Sequence, residues 1–166
     1  MASNTTANPY AGYLGVQNPV DVLSRTPAAL DSLASRLGPD GLERSLAPGK
    51  WVAREIVAHL ADCEIAFGFR LRQALAEPHH MIQPFDQDAW AAPYAKLPAA
   101  DALATFAALR KWNLVLFSSL NEEQFERPVL HPERGEMTFR TIVETMAGHD
   151  LNHLRQLEQI ASVASS

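Results

Sequence analysis

An all-α four-helix bundle is the fold class this sequence predicts, and three observations predict it. Four segments carry apolar residues three or four positions apart, the spacing that gathers them on one helical face. Each segment is bounded by helix start or stop residues. No segment shows the sustained apolar–polar alternation of a half-buried strand. With 166 residues the chain has the length of one domain with a full core, and an apolar content of 47% belongs to a globular chain.

Residues 1–17 are polar, contain Gly12 and Gly15, and read as an irregular N-terminal arm; residues 18–162 form the single domain. Asn18 followed by Pro19 is a helix start, with Asn as N-cap and Pro at the first helical position. Thr26-Pro27 repeats the signal, so the first helix is either kinked there or preceded by a short turn. Gly38-Pro39 stops it. After the loop Ala47-Pro48-Gly49-Lys50, a second helix runs from Trp51 to Glu77 and ends before Pro78. Its inner face carries Ile56, Leu60, Cys63, Phe67, Leu71 and Ala74. Residues 78–98 contain four prolines and form a long connection with one turn of helix near Asp86–Ala91. Pro98 opens a third helix through Leu120, with Leu103, Phe106, Leu109, Leu116 and Leu120 on its buried side. Residues 121–137, including His131-Pro132-Glu133-Arg134-Gly135-Glu136, make a second long connection. Thr138 caps a fourth helix that reaches about Ser162. Connections of this length are more often functional than not, and these two can cover one end of the bundle and shape a pocket.

Charge and composition exclude several functions. The net charge is −5, without the clustered Lys and Arg that a nucleic-acid groove needs. No apolar run approaches the roughly 20 residues that span a bilayer. The N-terminus has neither the basic nor the apolar region of a signal peptide. Cys63 is the only cysteine, so no intrachain disulfide forms, which fits a reducing cytoplasm.

The chemistry-bearing residues are His59, His149 and His153. The last two are four apart in Gly148-His149-Asp150-Leu151-Asn152-His153 and share one face of a helix. Along that helix the apolar stripe of Phe139, Ile142, Met146, Leu157 and Ile160 is interrupted by these two histidines. His59 shares the inner face of the second helix with Ile56 and Cys63. Buried polar side chains need partners, and three neutral imidazoles converging from two helices can hold a divalent metal with an open coordination position. The competing reading is a set of hydrogen-bonded core histidines.

The segments Trp51-Val52-Ala53-Arg54-Glu55-Ile56-Val57-Ala58-His59-Leu60-Ala61-Asp62-Cys63-Glu64, His131 to Arg140 and Gly148 to Leu157 together resemble the DinB-like superfamily, the damage-inducible, YfiT-like group of metal-binding four-helix bundles. The resemblance covers about Asn18 to Ile160, and Trp51, Asp62, Gly135 and Thr138 also look like family positions. It implies an up-down-down-up bundle with Zn²⁺ or Ni²⁺ held by His59, His149 and His153. It further implies thiol-dependent S-transferase or isomerase chemistry in some members and hydrolase activity in others, on a small-molecule substrate with a low-molecular-weight thiol as one partner. Homodimers are common in the group.

Other residues carry weaker expectations. Asp62, three residues after His59, can orient a histidine ring or accept a proton, and is the candidate catalytic carboxylate; the plainer reading is a solvated helix face, which suits Glu55 better. Cys63 can approach the metal, but a free cysteine is more often a small buried hydrophobe. Asp150 and Asn152 point away from the two histidines, toward the surface or a neighbouring helix. Arg70 can meet an anionic substrate or simply pair with an acid. Trp90 and Tyr94 can line the pocket mouth or seal the core beneath a loop. His131 reads as a turn residue, and His79 and His80 as loop residues. His149-Asp150-Leu151-Asn152-His153 differs from the His-Glu-x-x-His of zinc proteases at the essential Glu. The expected function is therefore a metal-dependent S-transferase or related hydrolase. The alternative is a non-catalytic metal-binding or dimerisation bundle with a stress-related role.

Overall fold

In the computed structural model, which describes residues 8–163, the chain folds as α1 (Ala11–Leu14), α2 (Pro19–Leu42), α3 (Ala53–Ala76), β1 (His80–Met81), α4 (Gln87–Ala91), α5 (Ala99–Ser118), α6 (Glu122–Phe125), β2 (Pro128–His131), β3 (Gly135–Thr138) and α7 (Phe139–Val163). Four long helices, α2, α3, α5 and α7, build the bundle. α2 packs on α7 and α5, and α3 packs on the same two helices from the other side.

Local chemistry sets the helix ends. The Asn18 side-chain oxygen accepts from the backbone N–H of Val20 and Asp21, and Pro19 occupies the first turn. Pro27 does not start a new helix: α2 continues through it. Gly38 breaks the regular helix, with φ +62°, a conformation glycine adopts without a Cβ penalty. At the start of α3 the Val52 N–H donates to the Glu55 carboxylate at 3.0 Å, so Glu55 is a helix cap rather than merely a solvated side chain. Thr138 Oγ1 accepts from the Thr141 N–H and caps α7.

Two apolar clusters define the direction of the helices. One joins the C-terminal half of α2 (Leu30, Leu33, Leu37) to the N-terminal halves of α3 (Ile56, Leu60) and α5 (Phe106) and to the C-terminal half of α7 (Leu157, Ile160). The other joins Leu23, Leu71, Phe117 and the N-terminal half of α7. α2 and α7 therefore run one way and α3 and α5 the other, an up-down-down-up order. Because α3 and α5 are parallel, the chain between them must return along the bundle, which is why the connection after α3 is long. It carries α4, capped by Asp86, and a short 3-10 turn at Tyr94–Lys96.

The two connections are less irregular than expected. β1 pairs in parallel with β2, and β2 pairs antiparallel with β3, giving a small sheet at one end of the bundle. Strands of two to four residues are too short for alternation to register in sequence. Within the arm expected to be irregular, Ala11–Leu14 is helical and packs on α7; residues 1–7 of that arm lie outside the described residues.

The inner face of α5 also differs from expectation. Ala102, Phe106, Arg110, Asn113 and Phe117 are buried, whereas Leu103, Leu109, Leu116 and Leu120 are only partly so. Arg110 and Asn113 belong to a polar layer between the two apolar clusters. Arg110, 1% exposed, donates to Glu64 of α3 at 2.8 and 2.9 Å and to Asp150 of α7 at 2.6 and 3.2 Å. Asn113 donates to the same Glu64 carboxylate at 2.8 Å.

Candidate metal centre

His59 on α3 and His149 and His153 on α7 enter this polar layer from the facing helices. They are 1%, 4% and 6% exposed. Their Nε2 atoms meet: His59 to His149 is 3.0 Å, and His153 to His149 is 3.2 Å. One nitrogen from each ring lies within 4.8 Å of the others, and this is the one such metal-capable group among the described residues.

Burial pushes all three imidazoles toward the neutral form, His59 down to about 3, with neighbouring histidines adding to the effect on His59 and His149. Gln156 Oε1 lies 2.9 Å from His153 Nδ1; as an acceptor it keeps the ring proton on Nδ1 and leaves the Nε2 lone pair facing the cluster. A proton on one Nε2 can be shared with a single neighbour at a time, whereas a cation satisfies three lone pairs at once. Two imidazole nitrogens bound to one Zn²⁺ at about 2.0–2.1 Å and a tetrahedral angle lie roughly 3.4 Å apart. Separations of 3.0 and 3.2 Å need a shift of only a few tenths of an ångström to match. The donor set fits a divalent cation.

Aromatic side chains fix the rings. Trp51 lies 4.9 Å from His59 between ring centroids, and Tyr10 meets His149 edge-on at 5.2 Å. Tyr10 reaches that position because residue 148 is glycine: a Cβ there would stand 2.5 Å from the Tyr10 carbonyl oxygen. Asp150 lies between the two α7 histidines in sequence; it pairs with Arg110, which also pairs with Glu64, so Arg110 of α5 ties α7 to α3. It makes the inter-helix contact expected of it.

Cavities flank the histidines on two sides. One of about 540 Å³ is lined by His153, Gln156, Asn152, Trp51 and Lys50. The other, about 210 Å³, is lined by His149, Cys63, Arg70, His131 and Arg134. Tyr10 and Gln87 border both.

The remaining candidates divide. Asp62 accepts a hydrogen bond from the Tyr94 hydroxyl at 2.9 Å rather than from a histidine. Tyr94, in the 3-10 turn of the connection after α3, is buried and seals the core. Trp90 stacks near Phe85 at 4.6 Å and lines an apolar groove away from the histidines. Cys63 Sγ is 3.4 Å from His59 Nε2, and burial pushes its thiol well above the ordinary value. His131 is not a simple turn residue: it ends β2, is buried, and faces the smaller cavity. His80 pairs with Glu77, and His79 takes a positive φ of 56° beside it. Sequence reasoning missed Tyr10, Gln156 and Arg110. The signal for Gln156 was its place three residues after His153 on the same face. Tyr10 left none beyond the glycine at 148.

The geometry has counterparts among known proteins. A family profile described as the DinB superfamily matches residues 23–157. A protein of Oceanobacillus iheyensis, provisionally named a metal-dependent hydrolase, is 28% identical over 142 residues, covering 85% of this chain and 83% of its own. One from Bacillus cereus, with the same provisional name, is 28% identical over 135 residues, covering 81% of this chain and 78% of its own. YfiT from Bacillus subtilis, described as a probable metal-dependent hydrolase with an unusual four-helix bundle topology, superimposes with a TM-score of 0.83 at 23% identity. The superposition covers 89% of this chain and 86% of YfiT, and shares the fold.

Proposed function

This chain belongs to the DinB superfamily, and from that premise we propose that it is a metal-dependent hydrolase whose cation is held by His59, His149 and His153. One observation carries the reading: the Nε2 atoms of His59 and His153 lie 3.0 and 3.2 Å from that of His149, with His153 lining the larger cavity and His149 the smaller. When bound, a divalent cation such as Zn²⁺ or Ni²⁺ supplies Lewis acidity, lowering the pKa of a nucleophile and polarising a substrate oxygen. Three neutral ligands leave its charge undiminished and a coordination position open.

The chain's own residues do the rest. Gln156 holds His153 in the tautomer that offers Nε2. Trp51 and Tyr10 restrict the His59 and His149 rings and keep bulk water from two faces of the cluster. Asp62, held by the Tyr94 hydroxyl, lies one turn along α3 from His59 but lines neither cavity, so any part it plays in proton transfer runs through Tyr94 or a bridging water.

Thiol transfer is the second reading. The larger cavity, about 540 Å³, falls in the range that accommodates an organic ligand, and so has room for a low-molecular-weight thiol as well as water. One experiment separates these readings from a structural bundle. Protein purified without a polyhistidine tag is analysed for bound metal, as wild type and as His149→Ala, and then assayed against ester and amide substrates and against electrophiles with a panel of thiols. Near-stoichiometric metal lost in the variant, with metal-dependent hydrolysis, is the expected result. Turnover only with thiol selects the transferase. Wild type that takes up neither Zn²⁺ nor Ni²⁺ overturns both.

A further inference from the structure

The smaller cavity holds charges that no structural role uses. Most arginines with inward or packed guanidinium groups meet an acceptor on the protein: Arg110 pairs with Glu64 and Asp150, Arg54 with Glu43, Arg140 with Glu122 and Glu126, and Arg72 with Asn113. Arg70 and Arg134 both line the cavity of about 210 Å³ next to His149, and neither has a carboxylate partner among the described residues. Arg70 donates only to the Gln83 carbonyl at 3.1 Å, and its guanidinium carbon lies 5.7 and 5.5 Å from the Phe67 and Phe85 ring centroids. Two rings and one carbonyl aim the group without neutralising it. His131 contributes a third donor. Its Nδ1 accepts the Glu133 backbone N–H at 3.2 Å, which leaves the proton on Nε2. Burial and the two arginines keep this ring neutral, each arginine disfavouring a further positive charge. Glu133 also borders the cavity but is exposed, and against two cations it leaves an excess of positive charge.

We propose that this cavity is the subsite for an oxyanion group of the substrate, a carboxylate or a phosphate, held by Arg70 and Arg134 with the Nε2–H of His131. The assignment deepens the functional reading above and rests on the histidines being where substrate is turned over. At about 210 Å³ the cavity takes one end of a ligand rather than the whole. The anionic end sits there, the bond to be broken lies against the histidines, and the remainder extends past Tyr10 and Gln87 into the larger cavity. Guanidinium forks suit this task because they bind oxyanions in a bidentate, directional manner.

Calorimetric titration of the metal-charged, full-length protein with inorganic phosphate and, separately, with succinate tests the assignment. Saturable binding of at least one probe is expected, with the preference between them showing which oxyanion the site takes. Arg70→Met and Arg134→Met should each raise Kd at least tenfold with metal content unchanged, while Arg140→Met, outside the cavity, leaves it within twofold. Arg134 lies in the turn between β2 and β3, so its variant keeps the test valid if Arg70→Met folds poorly. Binding indifferent to both substitutions overturns the subsite, since the anion then rests on the cation. Failure of both probes to bind overturns it too. If the chain takes up no metal, the functional reading fails on its own, and the same titration of the metal-free chain still decides the subsite.

Discussion

Gln156 shows how much a single side chain can decide. It lines the larger cavity, and its amide oxygen sets which nitrogen of His153 is free. Gln156→Leu should lower metal affinity by about 10–100-fold, the usual cost of removing such an orienting partner, while helix content by circular dichroism stays unchanged. The histidines also predict a pH response. Their folded-state pKa values lie below the ordinary value, His59 at about 3. Below about pH 6.5 the unfolded chain therefore binds more protons than the folded one, and stability falls as pH drops. Each histidine contributes at most about 1.4 kcal/mol per pH unit. For the metal-free protein, urea midpoints should decline steadily from pH 7 to pH 4; a flat profile would contradict the burial of the rings.

At the scale of elements, the connection between Pro27 and the polar layer is the most instructive. Proline inside α2 has no N–H to give the Leu23 carbonyl one turn back. Arg110 fills that vacancy, donating to Leu23 O at 3.0 Å while it bridges Glu64 and Asp150. A helix irregularity and a buried ion network are thus one feature. Arg110→Met leaves two buried carboxylates without their cation and should destabilise the fold by about 3–5 kcal/mol, measured by denaturant unfolding. The docking of the N-terminal arm on α7 depends on Gly148. Gly148→Ala places a Cβ 2.5 Å from the Tyr10 carbonyl. An exposed helical Gly→Ala change stabilises by about 1 kcal/mol. Here it should instead detach the arm, seen as faster proteolysis near Tyr10 and a wider approach to His149.

For the whole molecule, a cation joining α3 to α7 couples metal binding to global stability. With free Zn²⁺ at about 100 times its dissociation constant, the folded state gains about 2.7 kcal/mol. Chelation should therefore lower the thermal midpoint of wild type and leave that of His149→Ala unchanged, by calorimetry. Much of this architecture was legible in advance. The bundle, its capping residues Asn18 and Thr138, the α4 turn near Asp86 and the histidine interruption of the α7 stripe all rest on contacts within a few residues, which spacing records. The buried face of α5 did not show itself. Its leucines advertise a core, but the buried set includes Arg110 and Asn113, whose burial is tolerable only because Glu64 and Asp150 arrive from other helices.

The sequence by itself determined that four long helices form, roughly where each lies, and that His149 and His153 share a face. Local capping, proline and glycine chemistry and the 3.6-residue period are sufficient for that. Only the tertiary structure decided that His59 completes the cluster at 3.0 Å, that Tyr10 covers it, and that Arg70, His131 and Arg134 face one cavity. The segments that carry these residues are dozens of positions apart. Their meeting follows from the parallel placement of α3 and α5, which sends both long connections back over the same end of the bundle, a consequence of packing that no local pattern encodes.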